Sequence, residues 1–143
     1  FSFAFGKFLP RLEKTLKCDT FLIQIMVDSH LDIPIFQKAY DLYKTFYQYL
    51  VNFPKKDRYT LGQRGENAIL DLLESITQAG QLSKAEKLPV LKSASIKLDQ
   101  VKILIRLCKD LKILDNKKYL QIESELQEIG KMLGGWIKSS AQT

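Results

Sequence analysis

Residues 53–64 read FPKKDRYTLGQR. This stretch separates two apolar-periodic segments, and the manner of separation sets the fold. Pro54 has no backbone N–H and stops a preceding helix. Thr60, with Gln63 three positions on, has the spacing of a capping box, which starts a new helix. Between the two signals lie Lys55, Lys56 and Arg58, with Arg64 at the end of the stretch and one acid, Asp57, among them. A connection between helices needs only a breaker and a few polar residues. Four cations around an aromatic, Tyr59, exceed that need and match the electrostatic footprint of a surface that holds phosphate.

Upstream, a helix is expected over residues 34–52. Asp32 supplies its N-cap, and Pro34 fits the first turn, where a missing N–H costs nothing. Phe36, Ala39, Tyr40, Tyr43, Phe46, Tyr47 and Leu50 recur at three- and four-residue steps as one apolar stripe. Core packing is the preferred reading of this stripe over a platform for base stacking. Downstream, a second helix is expected from Thr60 to Gly80. It buries Ala68, Ile69, Leu72, Leu73 and Ile76 and leaves Asp71 and Glu74 on a solvated side.

A third helix starts at Lys84 or at Pro89 and runs to Leu111. Leu98, Val101, Leu104, Ile105, Cys108 and Leu111 line one side. Ile96, Ile103 and Leu107 widen the apolar arc beyond what one bundle core requires, which predicts a second contact surface and self-association. Lys92, Lys102, Arg106 and Lys109 share the opposite edge, as either a solvated face or a phosphate-binding one. A fourth helix covers residues 116–139, capped by Asp115 or Asn116. Tyr119, Ile122, Leu126, Ile129, Leu133 and Trp136 form its heptad seam. Gly130, Gly134 and Gly135 interrupt that seam. Each costs a helix about 1 kcal/mol relative to Ala, so the cluster predicts close approach of another backbone. Alternating strand runs and Asn-Gly turns are absent. The expected fold is therefore all-α, an antiparallel up-down four-helix bundle.

The chain has 143 residues, 22 Lys and Arg against 16 Asp and Glu, and a formal charge of +6. The excess favours an anionic partner, nucleic acid or a membrane surface. No apolar run approaches the ~18 residues of a membrane span; FLIQIMV at 21–27 is too short. Cys18, Cys108 and His30 are too few and too scattered for zinc, and no cofactor is expected. Cys108 reads as a small buried hydrophobe, and a reducing cytoplasm is the default location. The glycines fit neither the P-loop nor the dinucleotide pattern. Glu66, Asp71 and Glu74 are spaced like ordinary exposed helical acids, so no enzyme is expected. Residues 1–31 differ in character, with Phe1, Phe3, Phe5 and Phe8 clustered. They are expected to be an extension to a bundle domain of residues 32–143. Met26 stands just before the helical pattern, which suggests that residues 1–25 are upstream sequence, a fusion remnant or part of a larger chain.

In order, LDIPIFQKAYDLYK, FPKKDRYTLGQR, LPVLKSASIKLDQVKILIRLCKDLKIL and EIGKMLGGWIKS resemble the four-helix-bundle family that includes the 23S rRNA intervening-sequence proteins. Within it they are most similar to the accessory variability (Avd) proteins of diversity-generating retroelements. The resemblance implies a homopentameric barrel with a positive surface. It implies binding to RNA, with DNA as a second polyanion, and association with the retroelement reverse transcriptase during mutagenic copying of a template RNA into cDNA. Carried onto this chain, it places Lys55, Lys56, Arg58 and Arg64 in a basic loop region and Lys92, Lys102, Arg106 and Lys109 on a second basic strip. Ile96, Ile103, Leu107, Gly130, Gly134, Gly135 and Trp136 fall at helix or oligomer packing positions. The N-terminal segment has no counterpart. Three rivals stand beside this reading. One is a helical protein–protein module whose charge serves solubility. Another is a bundle of the rRNA-insert type without a polymerase partner. The third is a hydrolase using Glu66 and Glu74.

Overall fold

The computed structural model describes residues 33–142. The expected Asp32 cap, Cys18, His30, Met26 and the cluster of Phe1, Phe3, Phe5 and Phe8 lie outside the described residues. Among those described there are four long helices and no strand. They are α1 (Pro34–Leu50), α2 (Gln63–Gln81), α3 (Lys84–Asp110) and α4 (Asn116–Ala141).

Contacts between helices fix their directions. Along α1, Lys38, Thr45 and Tyr49 meet Glu128, Glu125 and Gln121 of α4, in falling order. Phe46 and Leu50 meet Gly65 and Gly62 at the start of α2. Lys87 and Lys109 of α3 lie over Trp136 and Tyr119 of α4. Each of these pairs is therefore antiparallel. α1 and α3 each pack on both α2 and α4, so the four helices form a bundle with α1 and α3 across its diagonal. The core holds Leu42 and Phe46 of α1, Ile69, Leu72 and Ile76 of α2, Leu91 and Ile105 of α3, and Ile122, Leu126, Ile129 and Leu133 of α4. Ile129 and Leu133 continue the seam expected for the fourth helix.

One helix start departs from the sequence expectation, and the two choices left open at the starts of the third and fourth helices fall to Lys84 and Asp115. The second helical segment begins at Lys55, not Thr60. The amides of Asp57 and Arg58 both donate to the Pro54 carbonyl. The Thr60 hydroxyl does not cap; it donates back to the Lys56 carbonyl at 3.0 Å. Residues Arg58–Gly62 are wound as a π-helix before regular α2 begins. α3 starts at Lys84, because the Ser83 amide donates to the Glu86 carboxylate at 3.3 Å in a capping box. Pro89 sits inside the helix. Asp115 is the cap of α4, accepting from the Lys118 amide at 2.8 Å.

Two packing expectations are also corrected, and close approach by glycine within the protomer falls at other positions than 130, 134 and 135. Tyr40 and Tyr47 do not join the core; the buried row of α1 is Ile35, Ala39, Leu42, Phe46 and Leu50. Leu111 is exposed rather than buried and extends the outer apolar row of α3. Gly134 and Gly135 have nothing within 4 Å of where a Cβ would stand, and Gly130 meets only ordinary side-chain contacts from Leu98 and Lys102. Within the protomer the close-approach glycines are Gly62 and Gly65. A Cβ there would stand 2.5 Å from Leu50 Cδ2 and 2.7 Å from Phe46 Cζ, respectively. They let the start of α2 lie against the end of α1.

Candidate nucleic-acid interface

In an up-down bundle the first and third connections share one end. Here that end holds the α1–α2 connection and the α3–α4 connection, tied together by Lys118, whose ammonium lies 5.4 Å from the Tyr49 ring centroid. Residues 52–64 and 106–118 carry nine Lys and Arg against three Asp. That excess equals the whole chain's formal +6, so the remainder of the molecule is neutral and the charge is concentrated here. Clustered like charge raises the local potential and draws polyanions.

The cations differ in how they are engaged. Lys55 and Lys56 are exposed, and their ammonium groups have no hydrogen bond or ion pair among the described residues. Arg58 is partly structural: its guanidinium donates to the Val51 carbonyl at 2.8 Å, satisfying an acceptor left over at the C-terminus of α1. Arg64 lines a groove between α2 and α3 with Asn67, Asp71 and Gln100. On α3, Lys102 pairs with Asp99 at 3.6 Å and Arg106 with Asp110 at 3.3 Å. The Tyr119 hydroxyl, and after it Asp110, push the Arg106 pKa upward and keep it charged. Lys109 lies 4.3 Å from the Tyr119 ring centroid. Exposed pairs of this kind are worth less than about 1 kcal/mol and are screened by salt, so they leave the side chains able to meet phosphate.

Of the residues expected from sequence, Lys55, Lys56, Arg58, Arg106 and Lys109 share this end, and Arg64 and Lys102 flank it. Lys92 does not. It lies ten positions before Lys102 on the same helix, about 15 Å along the axis. Sequence reasoning missed Lys112, Lys117 and Lys118. Lys112 adopts a left-handed conformation with φ 60°. The Ile113 amide reaches back to the Cys108 carbonyl at 2.8 Å, closing α3 in the manner usually served by glycine. The signal that could have found these lysines is topological: two connections of one bundle end must be summed together.

The acids considered for catalysis do not converge. Glu66 accepts from the Tyr43 hydroxyl at 2.8 Å and faces the α1–α2 groove. Asp71 lines the α2–α3 groove. Cys108 is buried, and burial, with a smaller push from Asp57, raises its thiol to about 11. Such a thiol is a poor nucleophile at neutral pH. No cluster of three or more His, Cys, Asp or Glu occurs among the described residues, and no helix among them is long and apolar enough to cross a membrane.

The outer side of α3 exposes large apolar side chains among its polar ones. Ile96 and Ile103 are 63% and 67% exposed, and Leu107 and Leu111 continue the same row. Gln100 interrupts the row between Ile96 and Ile103, and exposed large apolar side chains grouped on a charged protein point to a contact surface.

The structure thus defines a class: an all-helical bundle with one cationic end and one unpartnered apolar flank. The bAvd-like family model matches residues 33–140. The protein belongs to the bAvd-like family, that of the accessory variability proteins. No curated protein matches the sequence.

Proposed function

We propose that this protein is a non-enzymatic, nucleic-acid-binding accessory subunit that works beside a retroelement reverse transcriptase during mutagenic cDNA synthesis. The observation that carries the reading is the concentration of the chain's net charge at one end of the bundle. Family membership supports the accessory role. Residues 32–143 are the working domain in this reading and residues 1–31 an extension of it. Binding proceeds by neutralising phosphates and releasing condensed counterions, so affinity falls steeply with salt and carries little sequence preference. Sequence choice then rests with the polymerase partner or with RNA shape. The exposed row Ile96, Ile103, Leu107 and Leu111 supports self-association, with a pentameric ring as the assembly.

The test is retention of a structured RNA at low and raised salt. Lys55→Glu with Lys56→Glu is the right double substitution, because neither side chain holds the fold. It weakens binding strongly and makes the plot of log affinity against log salt shallower by about 1.5, the change expected for two lost phosphate contacts. Helical circular dichroism stays the same. Unretained RNA at low salt would favour a protein–protein module whose charge serves solubility. A strict monomer in light scattering would count against the ring.

A further inference from the structure

The groove between α1 and α2 at the basic end carries features that charge alone leaves unused. It has a volume of about 380 Å³ and is lined by Tyr47, Val51, Arg58, Tyr59, Gln63 and Glu66, among others. That volume lies within the range of small-ligand clefts, roughly 300–1,000 Å³. Tyr47 and Tyr59 are 57% and 66% exposed. Tyr59 makes no hydrogen bond or ring contact among the described residues, and neither does the side-chain amide of Gln63. Tyr47 lies 6.3 Å from Tyr43, whose hydroxyl is held by Glu66. The fold therefore gains little from two large aromatic rings placed in water beside the most basic part of the molecule.

We infer that this groove receives one unpaired nucleobase of a single-stranded nucleic acid, stacked on Tyr59 and Tyr47 while the flanking phosphates rest on Lys55 and Lys56. The inference rests on the polyanion reading above and adds the chemistry inside the groove. Lys55 and Lys56 precede Tyr59 by four and three residues, the spacings that put side chains on one helical face. The π-helical turn carries Tyr59 itself, a winding that recurs at functional sites.

The groove's polar groups select a base over the alternatives. Glu66 inside it repels phosphate, so the phosphate stays on the lysine rim. The second Glu66 oxygen can accept from an exocyclic amine, and the Gln63 amide offers both a donor and acceptor to a base edge. An apolar protein side chain would leave Gln63 and Glu66 facing carbon and would bring no negative charge to the lysines. A base satisfies all of these groups at once, and every base has a π-face.

The test compares two strands by fluorescence anisotropy at low salt, using the full chain. One is a short single-stranded RNA of mixed sequence; the other is an abasic strand with the same number of phosphates. The wild-type protein prefers the base-bearing strand by about tenfold, toward the lower end for one stacked base. Tyr59→Ala and Tyr47→Ala each reduce that preference and leave abasic binding unchanged, while Tyr59→Phe retains it. Lys55→Glu with Lys56→Glu weakens both strands together. Equal affinity of the wild-type protein for the two strands, both still salt-sensitive, overturns the inference and leaves the polyanion reading standing. Retention of neither strand overturns both. A Tyr substitution that changes the particle mass in light scattering without changing strand preference assigns the groove to a protein contact and also overturns the inference.

Discussion

Replacing Gly65 by alanine tests whether the basic connection is placed by close helix contact. The added methyl would stand 2.7 Å from Phe46 Cζ and 3.2 Å from Cε1, where ordinary contact begins at 3.4 Å. The ring cannot swing aside freely. Phe46 is fully buried, and Phe53 packs edge-on against it with centroids 5.9 Å apart. Forcing a methylene-sized group into such a site costs about 1–3 kcal/mol. The gain in helix propensity returns about 1 kcal/mol. The net expectation is a loss of about 1 kcal/mol, or roughly 4 °C in Tm for a domain of this size. Gly135→Ala is the control. It makes the same propensity gain into open space and raises Tm by a similar amount. Thermal melts of the two variants should therefore fall on opposite sides of the wild type. A Gly65→Ala protein that melts at or above the wild-type temperature refutes the close-contact reasoning. A Gly135→Ala protein that loses assembly mass in light scattering would place the expected close approach between copies rather than within one.

Arg58→Ala removes the guanidinium that serves the Val51 carbonyl and lowers Tm by a few degrees, corresponding to about 1 kcal/mol for an exposed charge-assisted bond; Lys55→Ala leaves Tm unchanged in the same melts. A charge reversal at Arg58 thus mixes lost binding with lost structure. Glu125 on α4 predicts a pH effect. Burial, against weaker help from Thr45 and Gln121, raises its pKa above the ordinary 4.5, and its Oε2 is buried without a hydrogen-bond partner. A carboxyl raised in the folded state binds more protons there than in the unfolded chain, so its contribution to stability falls as pH climbs from 4.5 through the folded value. Glu125→Gln should raise Tm at neutral pH and flatten that part of the Tm–pH curve; an unchanged slope would show that Glu125 is not its source.

The four helices were legible because their apolar residues recur at helical spacing, and most seam positions are buried as read. What failed was the separation of two adjacent rows of α1: the expected stripe joined the buried Ala39, Phe46 and Leu50 to Phe36, Tyr40, Tyr43 and Tyr47 of the next row. Ile35, Ala39, Leu42 and Phe46 form one row. Phe36, Tyr40, Tyr43 and Tyr47 form another, displaced by one residue, or about 100°. Both rows are apolar by composition, and periodicity cannot say which faces inward. Packing decides: small Ala39 and the compact chains of Ile35 and Leu42 fit the interior, while hydroxyl-bearing rings can remain partly wet. The glycines that matter inside the protomer were illegible for a related reason. Propensity measures what a glycine costs a helix, not what stands beside it. Gly130, Gly134 and Gly135 drew notice because they interrupt a seam, whereas Gly62 and Gly65 lie where neighbouring side chains leave no room for a Cβ. The cationic site was half legible. The α1–α2 lysines are contiguous in sequence, but their partners at the α3–α4 turn are about fifty positions away, and only the up-down topology brings them together.

The apolar flank and the basic end fit one another geometrically. The row Ile96, Ile103, Leu107 and Leu111 runs along α3, parallel to the bundle axis, whereas the cations occupy the end at which that row finishes. Copies joined side by side through α3 in a closed ring would keep their axes roughly aligned, so their basic ends would gather on one rim. Each copy added would contribute its nine Lys and Arg and three Asp to the same phosphate track. Bound to one strand, the later contacts become intramolecular, and avidity exceeds the affinity of a single end. Salt would then act on the assembly and not on the protomer. An uncharged interface substitution such as Ile96→Asn, ten positions and about 15 Å along α3 from Arg106, should weaken RNA binding by more than tenfold and reduce its salt slope. If Ile96→Asn yields monomers that bind RNA with the wild-type slope and affinity, each basic end works alone and the ring contributes nothing to binding.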